Sequence, residues 1–399
     1  MSIKLRRPII LLTLLLIGGF GVAQNKKKEK KMVKKNMELA ATQYKFLASI
    51  TPKDSMPRSY DARTKKLIAS DTEWWTSGFF PGSLWYIYEY TGDTAIRAEA
   101  ERRLVIEEKE KYNTGHHDLG FMIFCSFGNA YRITGNPDYR DVVAIAAETL
   151  IKRYRPNIRS LQSWGSMKST KSPVIIDNMM NLELLNWVSD GWREPKYKAV
   201  AIDHANTTIR NHFRPDNSSY HVIEYDVETG KILEKKTAQG YSNESAWARG
   251  QSWGLYGFTM MFRFTQDSAY LNQARKIAAF LLNHPQLPAD GIPYWDFDVP
   301  KEASTLRDAS AASIMASALL ELARYTEGDE QLSYLKMARK QLHTLSGSTY
   351  RAKPRENGGF ILKHGVGHLP AKSEVDVPLT YADYYFIEAL MRYEQWWLQ

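Results

Sequence analysis

From Val33 onward, apolar residues recur three and four positions apart, the spacing that gives an α-helix one buried face. The pattern predicts twelve helices, over about 33–50, 77–91, 94–110, 119–134, 138–153, 178–190, 194–212, 247–264, 268–283, 308–326, 329–345 and 381–397. Strand-like alternation is rare. It predicts a surface hairpin, Tyr220–Tyr225 with Lys231–Glu234, turned at Glu228-Thr229-Gly230. Short Gly- or Asx-bearing turns close one helix and start the next: Thr91-Gly92-Asp93, Thr134-Gly135-Asn136, Asp190-Gly191, Gln266-Asp267 and Glu327-Gly328-Asp329. Longer links, 51–76, 154–177, 213–246, 284–307 and 346–380, tend to alternate with them. Six hairpins closed on themselves bury every inner face, so the expected fold is all-α, an (α/α)6 barrel. An open α-solenoid would need more uniform repeats. The long links would then gather at one mouth, where loops build a pocket.

The N-terminal end follows a different pattern. Lys4, Arg6 and Arg7 precede the mostly apolar run Pro8–Phe20, and Gly21-Val22-Ala23 is a small-residue cleavage site. Residues 1–23 therefore read as a signal peptide, too short in its apolar part to span a membrane comfortably, and the product as periplasmic or secreted. Residues 24–36 read as a flexible, solvated Lys-rich segment, and 37–399 as a single barrel domain. These two leading stretches account for the net charge of +9, because 43 basic and 43 acidic residues remain without them. A neutral body argues against nucleic acid as a partner. The lone Cys125 makes no intramolecular disulfide, and a monomer is expected. The 11 Trp and 23 Tyr exceed what helices need, and some can line a sugar cleft.

Two carboxylates stand where chemistry is possible. Asp177 follows the β-branched run Val174-Ile175-Ile176 and begins a helix. It reads either as an N-cap or as a general acid/base in an apolar place. Asp118, in Gly115-His116-His117-Asp118-Leu119-Gly120-Phe121, carries the same ambiguity. If the two meet, they cannot both ionise cheaply, and one keeps a proton near neutral pH. His116 and His117 are expected to point apart, and no HExxH spacing follows, so no metal is expected. The richest stretch is Gln239-Gly240-Tyr241 with Trp247-Ala248-Arg249-Gly250-Gln251-Ser252-Trp253-Gly254. A packed helix start explains its glycines but not Arg, Gln and two Trp together; Arg binds carboxylates bidentately and Trp stacks on sugars. Trp75, Trp164 and His221 lie in long links that would share the same mouth. Two carboxylates, an Arg and several Trp in an exported barrel suggest an acidic carbohydrate as substrate.

Taken together, Gly115–Met122, Ile175–Asn181, Gln239–Tyr241 with Trp247–Gly254, Asp308–Ala312 and Tyr381–Phe386 resemble the unsaturated glucuronyl hydrolases of glycoside hydrolase family 88. The likeness runs from about Trp75 to the C-terminus. It implies an (α/α)6 barrel and hydration of the C4=C5 double bond that polysaccharide lyases leave on a terminal uronic acid. By resemblance, Asp177 protonates C4 and takes a proton from the water attacking C5. Asp118 holds ring hydroxyls and keeps Asp177 protonated. His221, Gln239 and Arg249 match polar substrate contacts, and Trp75, Trp164, Trp247 and Trp253 match aromatic positions of the pocket. No metal or organic cofactor is implied. The loop His368–Ser373 does not align with the Ser- and Lys-bearing loop of members that accept sulfated disaccharides, so tolerance of sulfate stays open, as does the parent glycan. An unsaturated rhamnogalacturonyl hydrolase and a non-catalytic periplasmic glycan-binding protein are the competing readings.

Overall fold

The computed structural model describes residues 10–300 and 306–399, with side chains from Lys26 onward. Twelve α-helices are present among them: α1 Ile10–Ile50, α2 Phe79–Thr91, α3 Thr94–Glu107, α4 Asn129–Thr134, α5 Pro137–Leu150, α6 Asn178–Trp192, α7 Pro195–Asn211, α8 Ala248–Thr265, α9 Ser268–Asn283, α10 Ala309–Leu322, α11 Gly328–Leu345 and α12 Thr380–Trp397. A π-helical stretch, Gly120–Gly128, runs straight into α4. Helices α2, α4 with its π-helical lead, α6, α8, α10 and α12 touch in succession, and α12 returns to α2. The ring is closed, with the odd-numbered helices outside, as the repeat of short and long connections implies.

Local chemistry explains the short turns. Gly92 and Gly135 each take the left-handed conformation (φ 69°) that ends a helix. Asp93, Asn136 and Asp267 then accept backbone N–H groups at the start of the next one. Gly191 departs from expectation: α6 continues through it to Trp192, and Arg193 (φ 56°) makes the left-handed turn instead. The inner ring is tight where side chains vanish. A Cβ on Gly257 would lie 2.4 Å from Met179 Cβ, and one on Gly120 would lie 2.6 Å from Asn181 Cα. Those contacts draw α8 and the π-helical stretch against α6.

The long links carry more strand than the sequence pattern shows. Hairpins form from β1 Met56–Asp61 and β2 Lys66–Ser70, and from β3 Tyr154–Arg155 and β4 Ser160–Leu161. A three-stranded sheet unites β5 Lys171–Ile175, β6 Val222–Asp226 and β7 Ile232–Lys236. A last hairpin joins β8 Gly365–His368 to β9 Ser373–Val377. The expected surface hairpin is thus β6–β7, but β5 pairs with its inner edge. Val174, Ile223 and Tyr225 join Ile158 there in a small core of their own. The strand β5 holds Pro173 and is only five residues long, too short for alternation to be read.

The Lys-rich segment is corrected. Described side chains from Lys26 to Asn36 belong to α1, and helix, not flexible chain, reaches Ile50. Glu29, Val33 and Asn36 form its buried stripe while all seven lysines are exposed. Glu29 receives Arg339 at 2.7 Å and His343 at 2.8 Å from α11. Of the expected leader, residues 1–9 lie outside the described residues and side chains before Lys26 are not described. No helix among the described residues is long and apolar enough to cross a membrane. Glu29→Ala should lower stability by about 1–3 kcal/mol, because two α11 partners lose their acceptor. Lys27→Ala and Lys30→Ala should change it by less than about 0.5 kcal/mol. Chemical denaturation of the three variants measures both.

Candidate active site

Pairing of β5 with β6 sets Asp177 beside His221. Ile175 faces Val222, and the next residue, Ile176, donates its N–H to the His221 carbonyl at 3.1 Å. Asp177 then stands at the N-cap position of α6, yet its own backbone is already helical (φ −58°, ψ −27°) and its side chain accepts no capping hydrogen bond. Asp177 is 8% exposed, and its Oδ2 has no hydrogen-bond partner. Burial drives the carboxyl upward; the positive charge of Arg249 opposes this, and the negative charge of Asp118 adds to it. The Trp253 indole N–H also opposes the rise. The balance puts Asp177 at about 7.

His221 is neutral with one defined tautomer. Its Nδ1 accepts the N–H groups of Ala238 (3.1 Å) and Gln239 (3.2 Å), so the ring proton is on Nε2. Burial first, then the charge of Arg249, holds its pKa well below the usual value. That Nε2 lies 3.7 Å from Asp177 Oδ2, longer than a hydrogen bond. Between them is a proton donor and a carboxyl oxygen, neither yet satisfied by the protein.

Asp118 does not act as a cap either. Its oxygens face His116 Nδ1 (3.3 Å), His117 Nε2 (3.2 Å) and Asn181 Nδ2 (3.5 Å). The two histidines, expected to point apart, bracket the carboxylate from both sides. His117 reaches this position by donating Nδ1–H to the Ser163 carbonyl at 2.6 Å. Burial works to raise Asp118, but His117 and His116 outweigh it and keep the group below its usual value. His116 shows the reverse balance: burial works against its charge, Asp118 favours it, and its pKa is raised. Asn181 ties the two carboxylate segments together, since its Oδ1 also accepts the Phe121 N–H at 3.1 Å from across the Gly120 contact.

Arg249 is placed differently from expectation. Its Nη1 donates to the Val366 carbonyl (2.5 Å) and pairs with Asp308 (3.2 Å), and its Nη2 donates to the Gly367 carbonyl (2.6 Å). The bidentate fork is occupied from inside by β8 and α10, at 1% exposure, and only Nε is unpartnered. Gln239 Nε2 donates to the same Gly367 carbonyl at 3.1 Å, and His368 contacts the Ala238 carbonyl at 2.8 Å. The β8–β9 hairpin is therefore pinned over this side of the site.

The tryptophans divide by exposure. Trp164 is 39% exposed at the rim, its ring 6.5 Å from that of His117. Trp75 is half-buried and packs on Tyr381 at 5.1 Å. Trp247 is buried, stacked 4.5 Å from His221 and under the Arg249 guanidinium at 4.4 Å. Trp253, at 0% exposure, forms floor, 5.1 Å from Phe121 and 5.3 Å from Tyr385. Two residues of the site went unassigned in the sequence. Asp308 neutralises Arg249. Tyr381 brings a buried hydroxyl without a partner, its ring 5.3 Å from the Arg249 guanidinium. Both sit inside motifs that carry the family likeness, but only ring closure brings α10 and α12 to Asp177.

The chain is similar to known proteins. Glycosyl Hydrolase Family 88 matches residues 51–397. The chain belongs to this family. An unsaturated glucuronyl hydrolase of Formosa agariphila is 43% identical over 373 residues, 92% of each chain. One of Bacillus sp. (strain GL1) is 35% identical over 349 residues, covering 86% of this chain and 92% of that one. Among solved structures, an unsaturated glucuronyl hydrolase specific for heparin superposes with a TM-score of 0.88 at 46% identity, covering 92% of this chain and 97% of the other. The family match thus takes in α2 to α12, which include the complete inner ring.

The balance of charges makes a pH prediction. If Asp177 acts as the general acid it must carry a proton, so kcat/KM should fall as pH rises through about 7. Asp118→Asn removes a charge that raises Asp177, so the falling limb should move to lower pH. A limb that stays put in the pH–rate profile of Asp118→Asn would separate the two carboxylates.

Proposed function

We infer that this chain is an unsaturated glucuronyl hydrolase, a glycosidase that releases the 4,5-unsaturated uronic acid from the non-reducing end of lyase-made oligosaccharides. The observation that carries the reading is Asp177: a buried carboxyl at about 7, with a free oxygen, beside an ionised Asp118 and a neutral His221. We assign Asp177 the transfer of its proton to C4 of the double bond. As the carboxylate, it then takes a proton from the water that bonds to C5, so its proton is returned. The hemiketal at C5 opens and the remaining sugar leaves. Asp118 holds ring hydroxyls and keeps Asp177 protonated; its charge enters through space. His221 offers its Nε2–H, and Tyr381 its hydroxyl, to the substrate. Gln239 and Arg249 shape the wall through β8, Trp75 and Trp164 offer aromatic faces, and Trp247 and Trp253 support them. The reaction as assigned uses no metal or organic cofactor.

The chain's place in the cell belongs to the same proposal: residues 1–23 act as a leader, and the barrel works as a monomer in the periplasm or outside the cell. Mass spectrometry of exported protein starting near Gln24 is the expected result. For the substrate, the heparin-specific relative puts unsaturated heparin disaccharides first in a panel, ahead of chondroitin and hyaluronan disaccharides. Loss of the double-bond absorbance reads the panel. Turnover confined to pectin fragments would move the assignment to a rhamnogalacturonyl hydrolase.

Asp177→Asn should reduce kcat by more than the roughly 10²–10⁴-fold typical of one acid–base step, because both proton transfers are lost. Its stability should rise. A carboxyl raised to about 7 in the folded state costs stability above its unfolded value, and the full cost applies above about pH 7. The variant should melt above the wild type at pH 8, and the gap should close toward about pH 4. Near-wild-type turnover would remove Asp177 from the chemistry.

A further inference from the structure

The barrel has a second mouth, at the C-terminal ends of the inner helices, which the hydrolytic reading does not use. A cavity of about 430 Å³ opens there, within the roughly 300–1,000 Å³ of small-molecule sites. Its rim, Glu89, Arg132 and Gln395, is exposed, and its floor, Tyr385 and Glu388, is buried. Three arginines reach it, and each already has carboxylates. Arg132 is bidentate on Glu89, with both bonds 2.7 Å. Arg263 stands between Glu183 (2.9 Å) and Glu321 (2.7 Å). Arg392 pairs with Glu321 at 3.1 Å and Glu388 at 3.4 Å.

Four carboxylates against three guanidiniums leave no positive charge to spare, so an anionic sugar gains nothing here. What the cavity does offer is polar groups of fixed direction beside apolar faces. Glu388 accepts hydrogen bonds from Tyr86 and Tyr256, both at 3.1 Å, which holds those hydroxyls in place. Tyr385 is 2% exposed and lines the cavity, and its hydroxyl has no hydrogen-bond partner among the described residues. That hydroxyl can donate to and accept from a ligand hydroxyl. Trp187 and Trp396 add aromatic walls of the kind that meet the C–H face of a pyranose.

We propose that this cavity is a second, non-catalytic sugar site that takes a neutral pyranose ring, with Tyr385 and the arginine–glutamate pairs contacting its hydroxyls. The test uses the full chain and three probes: methyl glucoside, N-acetylglucosamine and glucuronate. Saturation-transfer NMR and calorimetry should detect the neutral sugars, and any glucuronate bound at the catalytic mouth should be unaffected by the variants below. Gln395→Trp fills the rim, and Tyr385→Phe removes the free hydroxyl; each should weaken neutral-sugar binding about tenfold or more. In Gln395→Trp, kcat/KM on the unsaturated disaccharide should stay within about twofold of wild type. A crystal soaked in N-acetylglucosamine should show the ring between Trp187 and Tyr385. Absence of neutral-sugar binding, glucuronate binding weakened by Gln395→Trp, or neutral-sugar binding unchanged in both variants overturns the proposal. None of these results bears on Asp177, so the two sites fail separately.

Discussion

A carboxyl buried without a partner is the constraint from which the rest of this site follows. Asp177 cannot ionise cheaply where it stands, because water is excluded and Asp118 already carries charge nearby. Arg249 pulls the other way, and an unopposed guanidinium at that spot would strip the proton. Asp308, 3.2 Å from Arg249, shares that charge and limits its pull. The site therefore works as a balance of four charged groups drawn from four segments. Moving any one of them changes whether Asp177 holds a proton at neutral pH.

Holding that balance requires rigid placement, and two features supply it. The β5–β6 pairing fixes Asp177 against His221 through backbone hydrogen bonds, which no side-chain rotation can undo. Gly120 lets the π-helical stretch press on α6, so that Asn181 spans from Asp118 to the Phe121 amide. Both features lie at the N-terminal ends of the inner helices. Helix starts present unpaired N–H groups and a positive end, suited to an acidic substrate. The opposite mouth has the helix C-termini and a surplus of glutamate, and its chemistry differs accordingly.

How much of this was legible in the chain depended on range. Periodicity and turn chemistry are local, and closing a ring follows from repeated hairpins, so all twelve helices and the barrel could be read. Gly92, Gly135 and the Asx caps behave as their types dictate. Gly191 does not, because α6 finds its end through Arg193 and bonds between Ser189 and Glu194 instead. The Lys-rich stretch misled for a related reason. Composition reports the exposed face, whereas Glu29, Val33 and Asn36 are one buried residue per turn among seven lysines.

The sequence by itself determined the fold, the family and the short list of groups able to do chemistry, including Asp177 and Asp118. Tertiary structure decided which role each group takes. Whether Asp177 caps or donates depends on desolvation and on charges that arrive from the π-helical stretch, α8 and α10. Whether His116 and His117 diverge or converge depends on where Ser163 and Glu73 offer their carbonyls. Whether Arg249 is free depends on β8, more than a hundred residues away in the chain. Propensity and periodicity act over one or two helical turns; a pKa answers to everything within a few ångströms, and only the closed barrel says what that is.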